Sequence, residues 1–199
     1  MKLKHITDIR TGLSLVRKRG EIYDDYYKKY RVLTLKSFTD SNYPSLDYLD
    51  EFIATEELEP QYLTQHGDII VRLRAPNKAV YIGEEKYLGL VVPAFMSIIR
   101  IIDIAKVDVE FLTFYINSNL VQSKLSKEAN DTAIPMVKNM DITELEIQLP
   151  PVELQKKTVE YMKLANKEIN ILNQLIAVKN KLKNEIFETN ITKTKEFNQ

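Results

Sequence analysis

The chain has 199 residues, 28 Lys+Arg against 28 Asp+Glu, 44% hydrophobic residues and no cysteine. That balance belongs to a folded protein rather than a disordered one, and the missing sulfur excludes disulfides and thiolate chemistry. No apolar signal core follows Met1-Lys2-Leu3-Lys4-His5 and no apolar run approaches spanning length, so the expectation is a cytoplasmic protein without a membrane segment.

The zero net charge hides a segregation along the chain. Residues 1–36 carry ten Lys/Arg and four acids, 37–70 carry eight acids and no Lys or Arg, and 71–100 return to five against two. Residues 101–151 hold four against eight, and 152–199 nine against six. Folding either gathers such segments into a basic face, as phosphate binding requires, or interleaves them so that the field cancels.

Leu3 to Ile9, followed by Gly12, reads as a short strand or a helical turn. Ser14 to Lys29 has little periodicity; Arg17-Lys18-Arg19 and the tyrosines Tyr23, Tyr26, Tyr27 and Tyr30 suit phosphate contact and base stacking, or a loop whose rings pack while its cations face water. Tyr30 to Lys36 is a good strand. An acidic, turn-rich segment follows to Leu63, with a short helix start at Thr55 that Pro60 soon interrupts. Gly67-Asp68 opens a hairpin of Ile69–Arg74 and Ala79–Ile82, in which Arg72 and Arg74 project from one sheet face. Leu88 to Ile102 is strongly β and split by Pro93; Asp108 suits the N-cap of a helix carrying Phe111, Leu112, Tyr115 and Ile116, which continues or restarts through Leu125. Residues 130–136 form a loop, Lys138–Asp141 a turn and Leu145–Leu149 a final strand.

Leu149-Pro150-Pro151-Val152-Glu153-Leu154-Gln155 then launches a long helix. The second proline suits a helix's first turn, where its missing N–H is harmless, and Glu153 favours the positive end of the dipole. A helix reaching about Asn190 would be about 55 Å long, too long to lie within a domain of this size. Met162, Ala165, Ile169, Leu172, Leu175, Leu182 and Ile186 mark a seam at three- and four-residue steps, with a phase shift at 169–172–175, that calls for a partner helix. The fold class is therefore α+β: a mixed, mostly antiparallel body at 1–150, a coiled-coil helix at 151–190 and a flexible tail at 191–199.

Catalytic motifs are weak. Asp68 with Glu84-Glu85-Lys86 superficially matches the acidic, acidic, lysine set of a Mg²⁺-dependent nuclease, but each acid adjoins a glycine and reads more simply as a turn residue. His5 and His66 have no metal-ligand spacing, and five scattered glycines make no phosphate loop.

Leu3, Thr7-Asp8-Ile9 and Gly12, then Gly67-Asp68-Ile69-Ile70-Val71, then Thr132-Ala133-Ile134-Pro135, and finally Leu145 through Lys157 with its Leu-Pro-Pro and Glu/Gln-rich helix start, form an ordered pattern. Together they resemble the specificity (S) subunit of type I restriction–modification systems. The resemblance implies a non-catalytic subunit that reads bipartite double-stranded DNA. No cofactor is implied for this chain: adenine methyltransferase (M) subunits would bring S-adenosylmethionine, and a restriction (R) subunit ATP and Mg²⁺. Members of that family are about twice as long, with two target-recognition domains and two long helices, so the chain has room for one of each. Either two copies pair through their helices as a homodimer, or the chain is a fragment. Candidate DNA contacts are Arg17, Lys18, Arg19, Lys36, Arg72, Arg74, Asn77, Lys78 and Lys138, with Arg72 and Arg74 foremost because a sheet holds them rigidly. Rival readings are a protein-interaction adaptor with a coiled-coil arm and the Mg²⁺-dependent nuclease.

Overall fold

The computed structural model describes residues 1–20, 28–129 and 136–196. Strands β1 (Thr7–Thr11), β2 (Lys28–Val32), β3 (Asp50–Ala54), β4 (Ile69–Arg72), β5 (Ala79–Tyr81) and β6 (Met96–Ile101) form two antiparallel sheets. The larger has the order β1-β6-β4-β5, the smaller pairs β2 with β3. Helices α1 (Val109–Asn117), α2 (Asn119–Ala129), α3 (Asn139–Thr143) and α4 (Val152–Glu196) follow the strands. The mixed, mostly antiparallel body and long C-terminal helix expected from the sequence are both present.

Alternation along the central strands buries the large sheet on both faces. Ile69, Val71 and Ile99 pack with Leu112, Ile116, Val121 and Leu125 of α1 and α2. Ile70, Ile98 and Met96 point the other way, onto Leu33, Val80, Ile82 and Leu90. A third cluster of Leu13, Val32, Phe52 and Val91 seats the small sheet. Gly12 lets the end of β1 reach it: a Cβ there would lie 2.3 Å from the carbonyl oxygens of Val92 and Pro93. That approach allows Leu13 N–H to donate to Val92 O at 2.7 Å and Ala94 N–H to Leu13 O at 2.8 Å.

Asp108 caps α1, its Oδ1 accepting from Phe111 N–H at 2.9 Å, as predicted. Both readings of the first segment hold, since a 3₁₀ turn at Leu3–His5 leads into β1. Other boundaries differ. The expected strand at Tyr30–Lys36 ends at Val32, because Thr34 and Ser37 turn the chain: both hydroxyls donate to Tyr48 O, at 2.6 and 3.0 Å. The acidic segment read as turns contains β3, whose charges suit its basic neighbour, Arg31 lying opposite Glu51. No helix starts at Thr55, where Leu58 N–H instead donates to the Tyr30 hydroxyl. Only Met96–Ile101 of the long β stretch is strand, while Val91 forms isolated bridges to Val32 and Leu63. Leu145–Leu149 is likewise extended without a ladder, Glu146 forming an isolated bridge to Lys2. Helix α3 replaces the expected turn at Lys138–Asp141. The loop at 130–135, and with it Thr132–Pro135, lies outside the described residues, as do Tyr23, Tyr26 and Tyr27.

The chain divides into two compact units, Met1–Lys156 and Lys157–Gln199, so the first turn of α4 belongs with the body rather than starting a new unit at 151. Gln155 explains why. It is 0% exposed; its Oε1 accepts from Asp108 N–H at 2.9 Å and its Nε2 donates to Lys106 O and Pro150 O. The helix continues past Asn190 to Glu196, and residues 197–199 of the expected tail lie outside the described residues.

Near the chain start, Lys2 and Lys4 donate to Glu144 and hold its carboxyl down at about 2, against an ordinary 4.5. A depressed folded-state value stabilises the fold fully above 4.5 and loses that contribution as pH falls toward 2. Glu144→Gln should therefore lower the thermal midpoint at neutral pH, and the gap from the native chain should narrow as pH is lowered through this window. Melts recorded across that range check it.

Candidate nucleic-acid interface

The charge segregation is partly cancelled by folding. Lys18 pairs with Glu56, Lys28 with Glu57 and Lys78 with Asp40, each joining a basic segment to the acidic one. Lys78 also donates to Thr39 O. Arg17, Arg19, Lys36, Arg74 and Lys138 are exposed and form no ion pair among the described residues.

The two hairpin arginines do share a face, with different tasks. Arg72 ends β4 and lies 5.9 Å from the Phe38 ring centroid. Its Nη1 donates to Leu35 O and its Nη2 to Ala75 O, while burial draws its pKa down. It braces the turn. Arg74 lies beyond the strand, exposed, 5.9 Å from the Phe95 centroid, and can reach a ligand. Asn77 corrects the sequence reading: it is 1% exposed and its Nδ2 donates to Arg72 O at 3.1 Å, so it closes the turn from inside and cannot reach a groove.

One end of the large sheet collects the remaining contacts. Val137 N–H donates to Leu73 O at 2.8 Å, and Met136 forms an isolated antiparallel bridge to Arg74. Asn139 follows, its Nδ2 donating to Thr11 Oγ1 at 2.6 Å at the end of β1. The segment 136–139 thus runs from the backbone of Arg74, just past β4, to the Thr11 hydroxyl at the end of β1. Asn139 and Thr11 escaped the sequence reading because a lone Asn in a predicted turn carries no signal. The Arg17-Lys18-Arg19 run goes elsewhere: Arg19 bridges Ala54 of β3. Lys36 and Lys78 stay near the Leu35–Asp40 loop, and Tyr30 serves the body through Leu58.

The residues of the nuclease reading do not converge. Asp68, 1% exposed, accepts from Arg100 Nε at 2.8 Å and Nη2 at 3.2 Å, and its Oδ2 accepts from Gln65 N–H. Burial raises its pKa against the pull of Arg100. Glu84 pairs with Lys86 at 2.9 Å. Among the described residues no three His, Cys, Asp or Glu side chains are grouped to hold a metal, and no helix is long and apolar enough to cross a membrane.

On α4, Ile169, Leu172, Leu175, Leu182 and Ile186 are exposed, with Met162 and Ala165 half-buried. A body of two antiparallel sheets followed by a long helix with an exposed apolar stripe defines the class: an α+β module with a helical arm. The family profile for the type I restriction modification DNA specificity domain matches residues 1–186. The chain belongs to that family. It is 26% identical over 193 residues to the type I restriction enzyme MjaVIII specificity subunit of Methanocaldococcus jannaschii, covering 94% of this chain and 42% of that protein. Its fold matches the HsdS subunit of Thermoanaerobacter tengcongensis with a TM-score of 0.57 at 18% identity, over 87% of this chain and 38% of the other. It also matches the type I S subunit of M. genitalium with a TM-score of 0.55 at 14% identity, over 93% and 43%. The chain spans about two fifths of the length of these relatives.

Proposed function

We propose that this chain is a non-catalytic DNA-recognition component of a cytoplasmic type I restriction–modification system, its body reading one half of a bipartite duplex target. The observation that carries this is the segment 136–139, which bridges Arg74 through Met136, leaves Lys138 exposed and binds the Asn139 amide to the hydroxyl of Thr11: exposed cations suited to phosphates, with a planar donor and acceptor suited to a base edge. Methyltransferase subunits would supply S-adenosylmethionine and the methylating site, and a restriction subunit ATP, Mg²⁺ and cleavage.

The helix supports a second copy as partner. Met162, Ala165, Ile169, Leu172 and Ile176 follow strict three- and four-residue steps, and Leu164, Ile171, Leu175, Val178 and Leu182 form a neighbouring stripe one residue away. The phase shift read from sequence is the passage between these stripes at Leu175. Two adjacent stripes suit two partner helices, one from a second copy and one from a methyltransferase subunit. Two copies related by a two-fold axis would read an inverted repeat with an unspecified spacer.

The test is duplex binding by fluorescence anisotropy across salt concentrations. Binding should weaken steeply with salt. Arg74→Ala should weaken the preferred duplex about tenfold and unrelated duplexes little if the arginine reads a base. A uniform loss with a shallower salt slope makes it a phosphate contact. Absence of salt-sensitive DNA binding would favour the adaptor reading.

A further inference from the structure

Ser97 is 0% exposed on β6, directly opposite Thr11 of β1 in the register. Both hydroxyls meet one amide: Ser97 Oγ donates to Asn139 Oδ1, and Asn139 Nδ2 donates to Thr11 Oγ1 at 2.6 Å. Asn139 is only partly buried, yet its amide plane is fixed by two strands of the central sheet rather than by loop contacts. An asparagine amide offers two donor hydrogens and two acceptor lone pairs. The two hydroxyls take one of each. What remains is one N–H and one oxygen lone pair on a side chain held still.

We propose that Asn139, set by Ser97 and Thr11, is a base-reading site for adenine in the major groove, an inference that rests on the DNA-recognition reading above. Adenine offers there an N7 acceptor and an N6 amino donor, the complement of the pair left on Asn139. Guanine shows two acceptors, one of which would face the Oδ1 lone pair, and the pyrimidines lack the paired edge. The surroundings fit. Lys138, exposed and next in the chain, supplies charge for a phosphate. Met140, exposed one residue on, is apolar surface of the kind that packs on a thymine methyl group, which the adenine's own base pair supplies.

The experiment selects duplexes from a randomised pool with the full chain, then replaces each adenine of the best duplex by 7-deazaadenine, which lacks the N7 acceptor. At one position the native chain should lose about tenfold in affinity, and Asn139→Ala, already weakened, should lose nothing further there. Asn139→Ala also leaves the buried Ser97 hydroxyl without its partner, so the double variant Ser97→Ala, Asn139→Ala runs beside it and should show the same insensitivity with a near-native melting temperature. If every 7-deazaadenine penalty of the native chain persists in both variants, Asn139 reads no base and the proposal falls. If the native chain enriches no sequence at all, it is the DNA-recognition reading that fails.

Discussion

Arg100→Leu should lower the unfolding free energy of the body by about 3–5 kcal/mol, the usual result of removing one partner of a buried ion pair. Asp68 is what makes the loss large. Its carboxylate is nearly sealed from water and Arg100 grips it through both Nε and Nη2, with Arg100 Nη2 also donating to Leu63 O. Leucine would leave an uncompensated charge between β4 and β6. Denaturant unfolding followed by tyrosine fluorescence reads the shift, the chain having 11 tyrosines and no tryptophan. Arg100→Leu combined with Asp68→Asn should recover much of the loss, since the neutral amide still accepts from Gln65 N–H. The single variant's deficit should also shrink in acid, where Asp68 takes a proton. A loss within about 0.5 kcal/mol, typical of exposed sites, would mean that the pair is hydrated and the account wrong.

Leu172→Glu should dissociate the paired helices while leaving the body folded. Leu172 is 49% exposed in the single chain, and burying a leucine fully is worth about 1.5–3 kcal/mol. In a two-fold dimer the substitution is made twice and about half of each leucine's surface is there to be buried, so the loss is about 1.5–3 kcal/mol, at least about tenfold in the dimer dissociation constant. Light scattering over a range of concentrations should give twice the chain mass for the native protein and the single mass for the variant. Asn170→Glu, exposed and off both stripes, should change nothing. A native monomer, or a dimer indifferent to Leu172→Glu, would reject self-pairing through this stripe and direct the search to a partner of different sequence.

Local rules made several elements legible beforehand. The Asp108 cap, the hairpin after Gly67-Asp68 and the helix after Pro151 are written in neighbouring residues, because capping, tight turns and proline geometry act over a few positions. Strand limits were less legible: Thr34, Ser37 and Tyr48 end β2 through hydrogen bonds over 11 to 14 residues. The acidic β3 lacks strand propensity and exists because its partner is basic.

The sequence by itself determined the family, the two-part organisation, the helix with its apolar stripe and the shared face of Arg72 and Arg74, all consequences of periodicity and ordered short motifs. Only the tertiary structure decided which cations are free. Lys18 and Lys78 are paired, Arg72 braces a turn and Asn77 is buried, while Arg74 and Lys138 stay exposed and Asn139 is brought to Thr11. Contacts between residues more than a hundred positions apart, such as Asn139 with Thr11, leave no mark on local spacing. The edge they build belongs to the sheet's register, which forms only when the chain folds.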